Sequence, residues 1–203
     1  MRKIAARPIP VAMTDSKFTT IETERLILRA WKSEDAEAFA RMNIDPIVME
    51  YLPRALNRKD SDKLLKRFQA HFTKHGYGLF AMERKEDGEF VGFTGLQNVE
   101  FDAHFTPAVE IAWRLDTEYW GKGYATEAAK AVLDYAFNTL KLKDVVTFTV
   151  HDNERMMHVF DKMGMTCDED GDFDYPTLPE GHPLGKFTLY RMTKKTFVET
   201  FKS

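Results

Sequence analysis

Only one cysteine, Cys167, occurs in 203 residues, which excludes an internal disulfide and with it a fold held together by crosslinks. Long apolar runs are missing too. No stretch approaches the ~20 residues a membrane-spanning helix requires, and "MRKIAARPIPVAM" lacks the apolar core and small-residue cleavage site of a signal peptide. There is no surplus of positive charge: 29 Lys and Arg stand against 32 Asp and Glu, a formal charge of -3. Affinity for phosphate backbones rests on clustered cations, so nucleic acid is not an expected partner. Internal repeats and low-complexity tracts are also absent. These absences lead us to expect a soluble, cytoplasmic protein without a membrane partner.

Hydrophobic residues at 43% and charged residues at 30% describe a globular chain, long enough for one domain with a sizeable core. Residues 1–20 carry two prolines and no sustained period, so we expect an irregular arm there and a single domain over 21–203. "RLILRAW" alternates as a strand, and "SEDAEAFARM" follows as a helix with Ser33 as its N-cap. Leu64, Leu65, Phe68 and Phe72 place a second amphipathic helix over 60–74, capped by Asp60 or Ser61. "YGLFAMER", "EFVGFTGLQNV" and "AVEIAWRL" read as an antiparallel meander, the first two joined through the Asp-Gly turn of "KEDGE". A helix over 123–140, the β-branched strand "VVTFTV", a short helix ending at Gly164, an acidic Pro-rich loop over 168–185 and the strand "KFTLYRM" complete the chain.

The stretch "EYWGKGYATEAAKAV" sets Gly121 and Gly123 at the entrance of the 123–140 helix. The first four N–H groups of a helix have no intrahelical partner and carry a partial positive charge, so bare backbone at that end suits a phosphate. A tight strand-to-helix turn without any ligand is the alternative for so short a motif. The known nucleotide signatures fit badly. A Walker loop needs four residues between its glycine and Gly-Lys, and a Rossmann fingerprint needs a third glycine where Thr126 stands.

Trp120-Gly121-Lys122-Gly123-Tyr124-Ala125 resembles the pyrophosphate pattern Gln/Arg-x-x-Gly-x-Gly/Ala of the GCN5-related N-acetyltransferase (GNAT) family. Trp120 in place of Gln or Arg, followed by Ala-Thr-Glu-Ala, is similar to the Rim-type ribosomal-protein alanine N-acetyltransferase branch. "TERLILRAW" with "EDAEAF" resembles that branch's opening, and "HDNERMMHVFDKMGM" resembles its second coenzyme motif. The resemblance spans roughly residues 22–193. It implies an α/β (α+β) fold: a mixed, mainly antiparallel sheet flanked by helices on both faces and splayed between two central strands to admit acetyl-CoA.

The implied reaction is acetyl transfer from acetyl-CoA to a primary amine, either a protein N-terminus or a small molecule, by direct attack and without a metal. The pantetheine arm would pair with the backbone of Ile111, Ala112, Trp113, Arg114 and Leu115, with an N–H near Ala112 or Trp113 polarising the thioester carbonyl. N–H groups from Gly121, Lys122, Gly123, Tyr124, Ala125 and Thr126 would hold the pyrophosphate. Asn153 would contact the coenzyme, cap the following helix, or do both. Glu110 matches the carboxylate that takes the amine proton in many relatives; a solvent-facing strand residue is the alternative. His104 is a weaker relay candidate. The general-acid positions depart from the pattern, being Met156 and Phe160, neither of which donates a proton; Tyr190 and Tyr119 are candidate substitutes. A binding or sensing module that has lost turnover is therefore the competing reading, and oligomeric state stays open, a homodimer among the options.

Other constellations read as ordinary surface. His71 and His75 lack a third ligand and are taken as solvated. The acids of "DEDGDFDYP" miss the glycine of a calcium loop, though they would help attract a cationic amine. Cys167 reads as a plain strand cysteine.

Overall fold

A computed structural model describes residues 19–201, so the arm expected over 1–20 lies almost wholly outside the described residues. Among these, the strands are β1 (Ile21–Glu22), β2 (Leu26–Arg29), β3 (Leu79–Arg84), β4 (Phe90–Asn98), β5 (Val109–Leu115), β6 (Asp144–Val150), β7 (Thr166–Cys167), β8 (Phe173–Asp174) and β9 (Lys186–Thr193). They form one sheet in the order β1-β2-β3-β4-β5-β6-β9-β7, with β8 also paired to β9. Every pairing is antiparallel except β5 with β6.

That exception positions the site. β5 pairs with β4 along its whole length, from Leu115 opposite Gly92 to Val109 opposite Asn98, and β6 pairs equally fully with β9. Between β5 and β6 the register holds only at Glu110 opposite Val146. The strands part beyond that point, and the edge of Ile111–Leu115 that faces β6 has no strand partner among the described residues.

The helices are α1 (Asp35–Ile44), α2 (Arg58–His75), α3 (Tyr124–Asp134), α4 (Glu154–Lys162) and α5 (Lys194–Phe201). Period-two alternation in β3 sends Leu79 and Ala81 to one cluster and Phe80 and Met82 to another. The first cluster joins α1 and α2 to the sheet through Trp31, whose ring lies 5.0 Å from Phe39, 6.0 Å from Phe68 and 6.3 Å from Phe93. The second gathers Ile111 with Ala128, Val132 and Leu133 of α3, Phe160 of α4 and Phe197 of α5. Burying each large side chain of this kind contributes about 1.5–3 kcal/mol, enough to hold the sheet between two helical layers.

Three local expectations need correction. Ser33 makes no side-chain cap for α1; instead the buried Asp35 carboxylate accepts the Lys32 N–H at 2.7 Å and two bonds from the Arg29 guanidinium, which a serine hydroxyl lacks the charge to do. The cap of α2 is Asn57, whose side chain accepts the Asp60 N–H at 2.9 Å. Ser61 is buried one turn inside and bonds Asn43. Finally, the helix over 123–140 has the expected extent but loosens after Asp134 into a π turn, closed by Leu140 N–H to Tyr135 O at 3.0 Å.

Candidate active site

At the end of β5 a short 3-10 turn, Thr117–Tyr119, delivers the chain to Trp120, whose indole N–H donates to Leu115 O at 2.9 Å. Gly121 and Gly123 then adopt φ of 72° and 82°, left-handed conformations that side chains disfavour. Space is not the constraint. An added Cβ meets nothing within 4 Å at Gly121, and at Gly123 only an Arg25 guanidinium nitrogen at 3.4 Å. The first bond of α3 is Glu127 N–H to Gly123 O at 3.0 Å. The N–H groups of Tyr124, Ala125 and Thr126 stand ahead of it with no helical carbonyl to reach, at the positive end of the helix dipole. Lys122 is exposed beside them, its ammonium 5.6 Å from the Tyr119 ring.

Arg25 holds this turn in place. Its guanidinium donates to Lys122 O at 2.9 Å, pairs with Glu127 at 2.7 Å and lies 4.6 Å above the Tyr124 ring. Burial acts to raise the Glu127 carboxyl, but bonds from the Thr23 hydroxyl, the Arg25 N–H and the Arg25 side chain outweigh it and hold the group below its usual range.

On the β6 side, Asn153 caps α4. Its side chain accepts the Met156 N–H at 3.2 Å and donates to Thr149 at 3.0 Å. Met156 is half-buried, and Phe160 is fully buried with its ring 5.6 Å and edge-on to Trp113. Tyr190 lies 4.9 Å from Phe160, its phenol is influenced by Asp161 and Cys167, and burial raises it. Tyr119 is buried beside Arg84 and Tyr124. Neither tyrosine is brought to Glu110.

Glu110 sits where β5 and β6 last touch, opening into a cavity of about 280 Å³ together with Phe68, His71, Gln97, Phe101 and Tyr175. Gln97, its cross-strand partner, donates to its carboxylate at 2.8 Å. Burial pushes the carboxyl up to about 7, with the Gln97 bond pulling weakly the other way. A carboxylate poised near neutrality within a cavity is suited to taking a proton from an amine. Two residues along the same strand face, Ala112 leads to Arg114, whose guanidinium bonds Asn43 at 2.6 Å and is lowered by burial to about 10.

His104 is exposed with its ring edge-on to Phe105 and does not line this cavity. The reading of His71 and His75 as solvated is corrected: both are half-buried, their rings 4.5 Å apart. His71 Nδ1 lies 2.9 Å from Tyr77 O, and its Nε2 accepts the Asn98 N–H at 3.1 Å, so the neutral Nδ1–H tautomer fits both partners. Burial lowers its pKa accordingly.

A family model described as "Acetyltransferase (GNAT) domain" matches residues 25–166, well over half the chain. The chain belongs to the GNAT acetyltransferase family. It is 33% identical over 160 residues to the spermidine N(1)-acetyltransferase of Escherichia coli K12, covering 78% of this chain and 72% of that relative. A GNAT-family acetyltransferase structure from Bacillus anthracis superposes with a TM-score of 0.71 at 26% identity, over 87% of this chain and 99% of that one. Mycobacterium smegmatis RimJ in complex with CoA-disulfide shares the fold with a TM-score of 0.68 at 21% identity, over 87% and 88% of the two chains. As a GNAT enzyme the protein is an acetyl-CoA-dependent N-acetyltransferase, and the split between β5 and β6 with the glycine turn beyond it is a cradle suited to that co-substrate.

Sequence reasoning missed several residues of this acetyltransferase. Arg25 and Glu127 lie about 100 residues apart, and no local pattern links them. Arg155, at the start of α4, reaches from the β6 side to stack 4.3 Å above Trp120 and to pair with Glu50 at 3.0 Å. Gln97 had a weak signal: it is a half-buried polar residue directly after the buried run of β4. Tyr175 lies in the acidic loop, where only charge had drawn notice.

Proposed function

We propose that the enzyme acetylates a primary amine by direct attack, with Glu110 as the base. The observation that carries this reading is the Glu110 carboxyl, raised to about 7 and facing a cavity at the point where β5 and β6 separate. Acetyl-CoA supplies an activated acetyl thioester. The free edge of Ile111–Leu115 holds its pantetheine arm, the N–H groups from Gly121 to Thr126 hold its pyrophosphate, and Lys122 adds charge at the rim. Glu110 takes a proton from the ammonium group and frees the lone pair. The N–C bond forms as the thioester C–S bond breaks, the nitrogen gives up its second proton to water to leave a neutral amide, and the leaving sulfur takes a proton from solvent. With Met156 and Phe160 unable to donate, solvent is the acid this reading requires. A thiol near pKa 8.5 needs little help, so the missing acid costs only roughly 2 kcal/mol.

Both a protein N-terminus, as the resemblance to the Rim-type ribosomal-protein alanine N-acetyltransferases implies, and a small amine, as the name of the spermidine N(1)-acetyltransferase relative implies, fit this reading. A cytoplasmic location goes with it, since acetyl-CoA is an intracellular co-substrate and Cys167 is a free thiol. A thiol-release assay over a panel of amines tests the assignment. Amine-dependent release lowered about a hundredfold or more by Glu110→Gln supports it. Coenzyme binding with no release for any amine would favour the sensing module that Met156 and the fully buried Phe160 suggest.

A further inference from the structure

Six aromatic rings meet beside Glu110. Phe101 has its centroid 5.2 Å from Tyr175, 5.9 Å from Phe148 and from Phe173, and 6.2 Å from Phe105, while Phe187 lies 4.9 Å from Tyr175. Unlike the Trp31 cluster under α1 and α2, which is buried, all six are only partly buried. A contiguous aromatic surface left in contact with water marks a binding site more often than a packing fault. Two of these rings, Phe101 and Tyr175, line the same cavity as Glu110. Burial raises the Tyr175 phenol and the Glu110 charge raises it further.

The charges in that cavity are uneven. Its acidic lining residues are Glu100 and Glu110, and Glu100 is paired with Arg67 at 3.6 Å, so one carboxylate remains to meet an ammonium. Arg67, Lys74 and the His71–His75 pair supply positive or neutral polar groups around it. At about 280 Å³ the cavity lies just below the ~300–1,000 Å³ range of ligand pockets, suited to a small molecule.

Building on the acetyltransferase reading, we propose that the acceptor is a small monoamine with an aromatic or similarly flat apolar body, seated against Phe101 and Tyr175 with its nitrogen at Glu110. A second ammonium on the same molecule finds no free carboxylate among the lining groups and meets Arg67 and Lys74. Aromatic faces also attract the single ammonium before Glu110 takes its proton.

The test compares 2-phenylethylamine, spermidine and an alanine-initiated peptide as acceptors in a thiol-release assay, alongside calorimetric titration of 2-phenylethylamine. The proposal expects 2-phenylethylamine to have at least a tenfold higher kcat/KM than either alternative. Tyr175→Ala and Phe101→Ala should each raise its KM or Kd several-fold, leaving the KM for acetyl-CoA in place. The surface pair Arg67→Glu with Lys74→Glu should improve spermidine turnover. Preference for spermidine or the peptide overturns this acceptor class while leaving acetyl transfer standing. If no amine releases thiol, acetyl transfer fails, and the titration still decides: binding of 2-phenylethylamine weakened by Tyr175→Ala supports the aromatic site, and absence of binding overturns it. A shift from dimer to monomer in Phe101→Ser, with 2-phenylethylamine binding unchanged, assigns the rings to a second copy of the chain and also overturns it.

Discussion

The proposed coenzyme side and the proposed acceptor side of this protein are built from different materials. Around Gly121–Thr126 the useful groups are backbone N–H donors, presented by two left-handed glycines and fixed from outside by Arg25 and Glu127. Around Glu110 they are side chains: one partly buried carboxylate, one amide that bonds it, and a wall of rings. Backbone presents the same donors whatever residues flank it, so it suits a co-substrate shared across a family. Side chains change by substitution, so they suit the part of the reaction that differs between relatives. The two halves meet at the single β5–β6 register point, where the proposed reaction would bring thioester and amine together.

The sharpest way to separate the halves is Glu110→Gln. It should lower kcat/KM by about 10²–10⁴-fold, the usual range for removing a general base, while acetyl-CoA still raises the melting temperature. Loss of coenzyme binding in this variant would show that the two sides are not separable. The converse is Gly123→Glu, which forces a side chain into φ of 82° and places negative charge at the phosphate site. The stabilisation of about 2.7 kcal/mol that acetyl-CoA gives at 100 times its dissociation constant should vanish from thermal unfolding of the folded variant. Retained stabilisation would break the case for the glycine turn.

Stability against pH sharpens the comparison further. Glu110 has a folded pKa of about 7 against an ordinary 4.5, so between those values the folded state holds a proton that the unfolded state has released. Its contribution to stability is therefore lost as pH rises from about 4.5 to about 7, by about 3 kcal/mol. Denaturant unfolding at pH 5 and pH 8 should show this fall in the native chain and a smaller one in Glu110→Gln. An equal fall in both would mean that the carboxyl is not held as described. Smaller still is the effect of Arg25→Ala: its guanidinium is partly exposed, so a loss of about 0.5–1 kcal/mol should appear as a few-fold rise in the KM for acetyl-CoA. Least of all, Gln97→Leu removes the bond that lowers the Glu110 pKa, and the rising limb of the pH–rate profile should move to higher pH. Movement to lower pH would reverse the assigned role of Gln97.

The coenzyme side was the more legible because its chemistry is local. Gly121 and Gly123 at the start of an apolar period already imply a helix end with free N–H groups, and the three motifs in order point to the GNAT fold found here. Element order, the β3–β4 hairpin and the parallel β5–β6 crossover follow from the same local patterns. Capping was less legible, since Asp35 and Asn57 owe their roles to charge and backbone geometry that neighbouring Ser33, Asp60 and Ser61 imitate in sequence. The acceptor side was hardest to read. Glu110 is one glutamate among many, and what makes it basic near neutrality is burial, contributed by residues from α2, β4 and the loop after β8.

The sequence by itself therefore determined the run of strands and helices and the glycine turn, because periodicity and backbone conformation depend on near neighbours, and its motifs carried the resemblance that implied the layers and the family. Tertiary structure alone decided that Arg25 clamps the turn, that His71 is tied down at both nitrogens, and that Phe101 and Tyr175 stand beside Glu110. Desolvation and ring contact act between residues distant along the chain, and only folding fixes which of them share the same few ångströms.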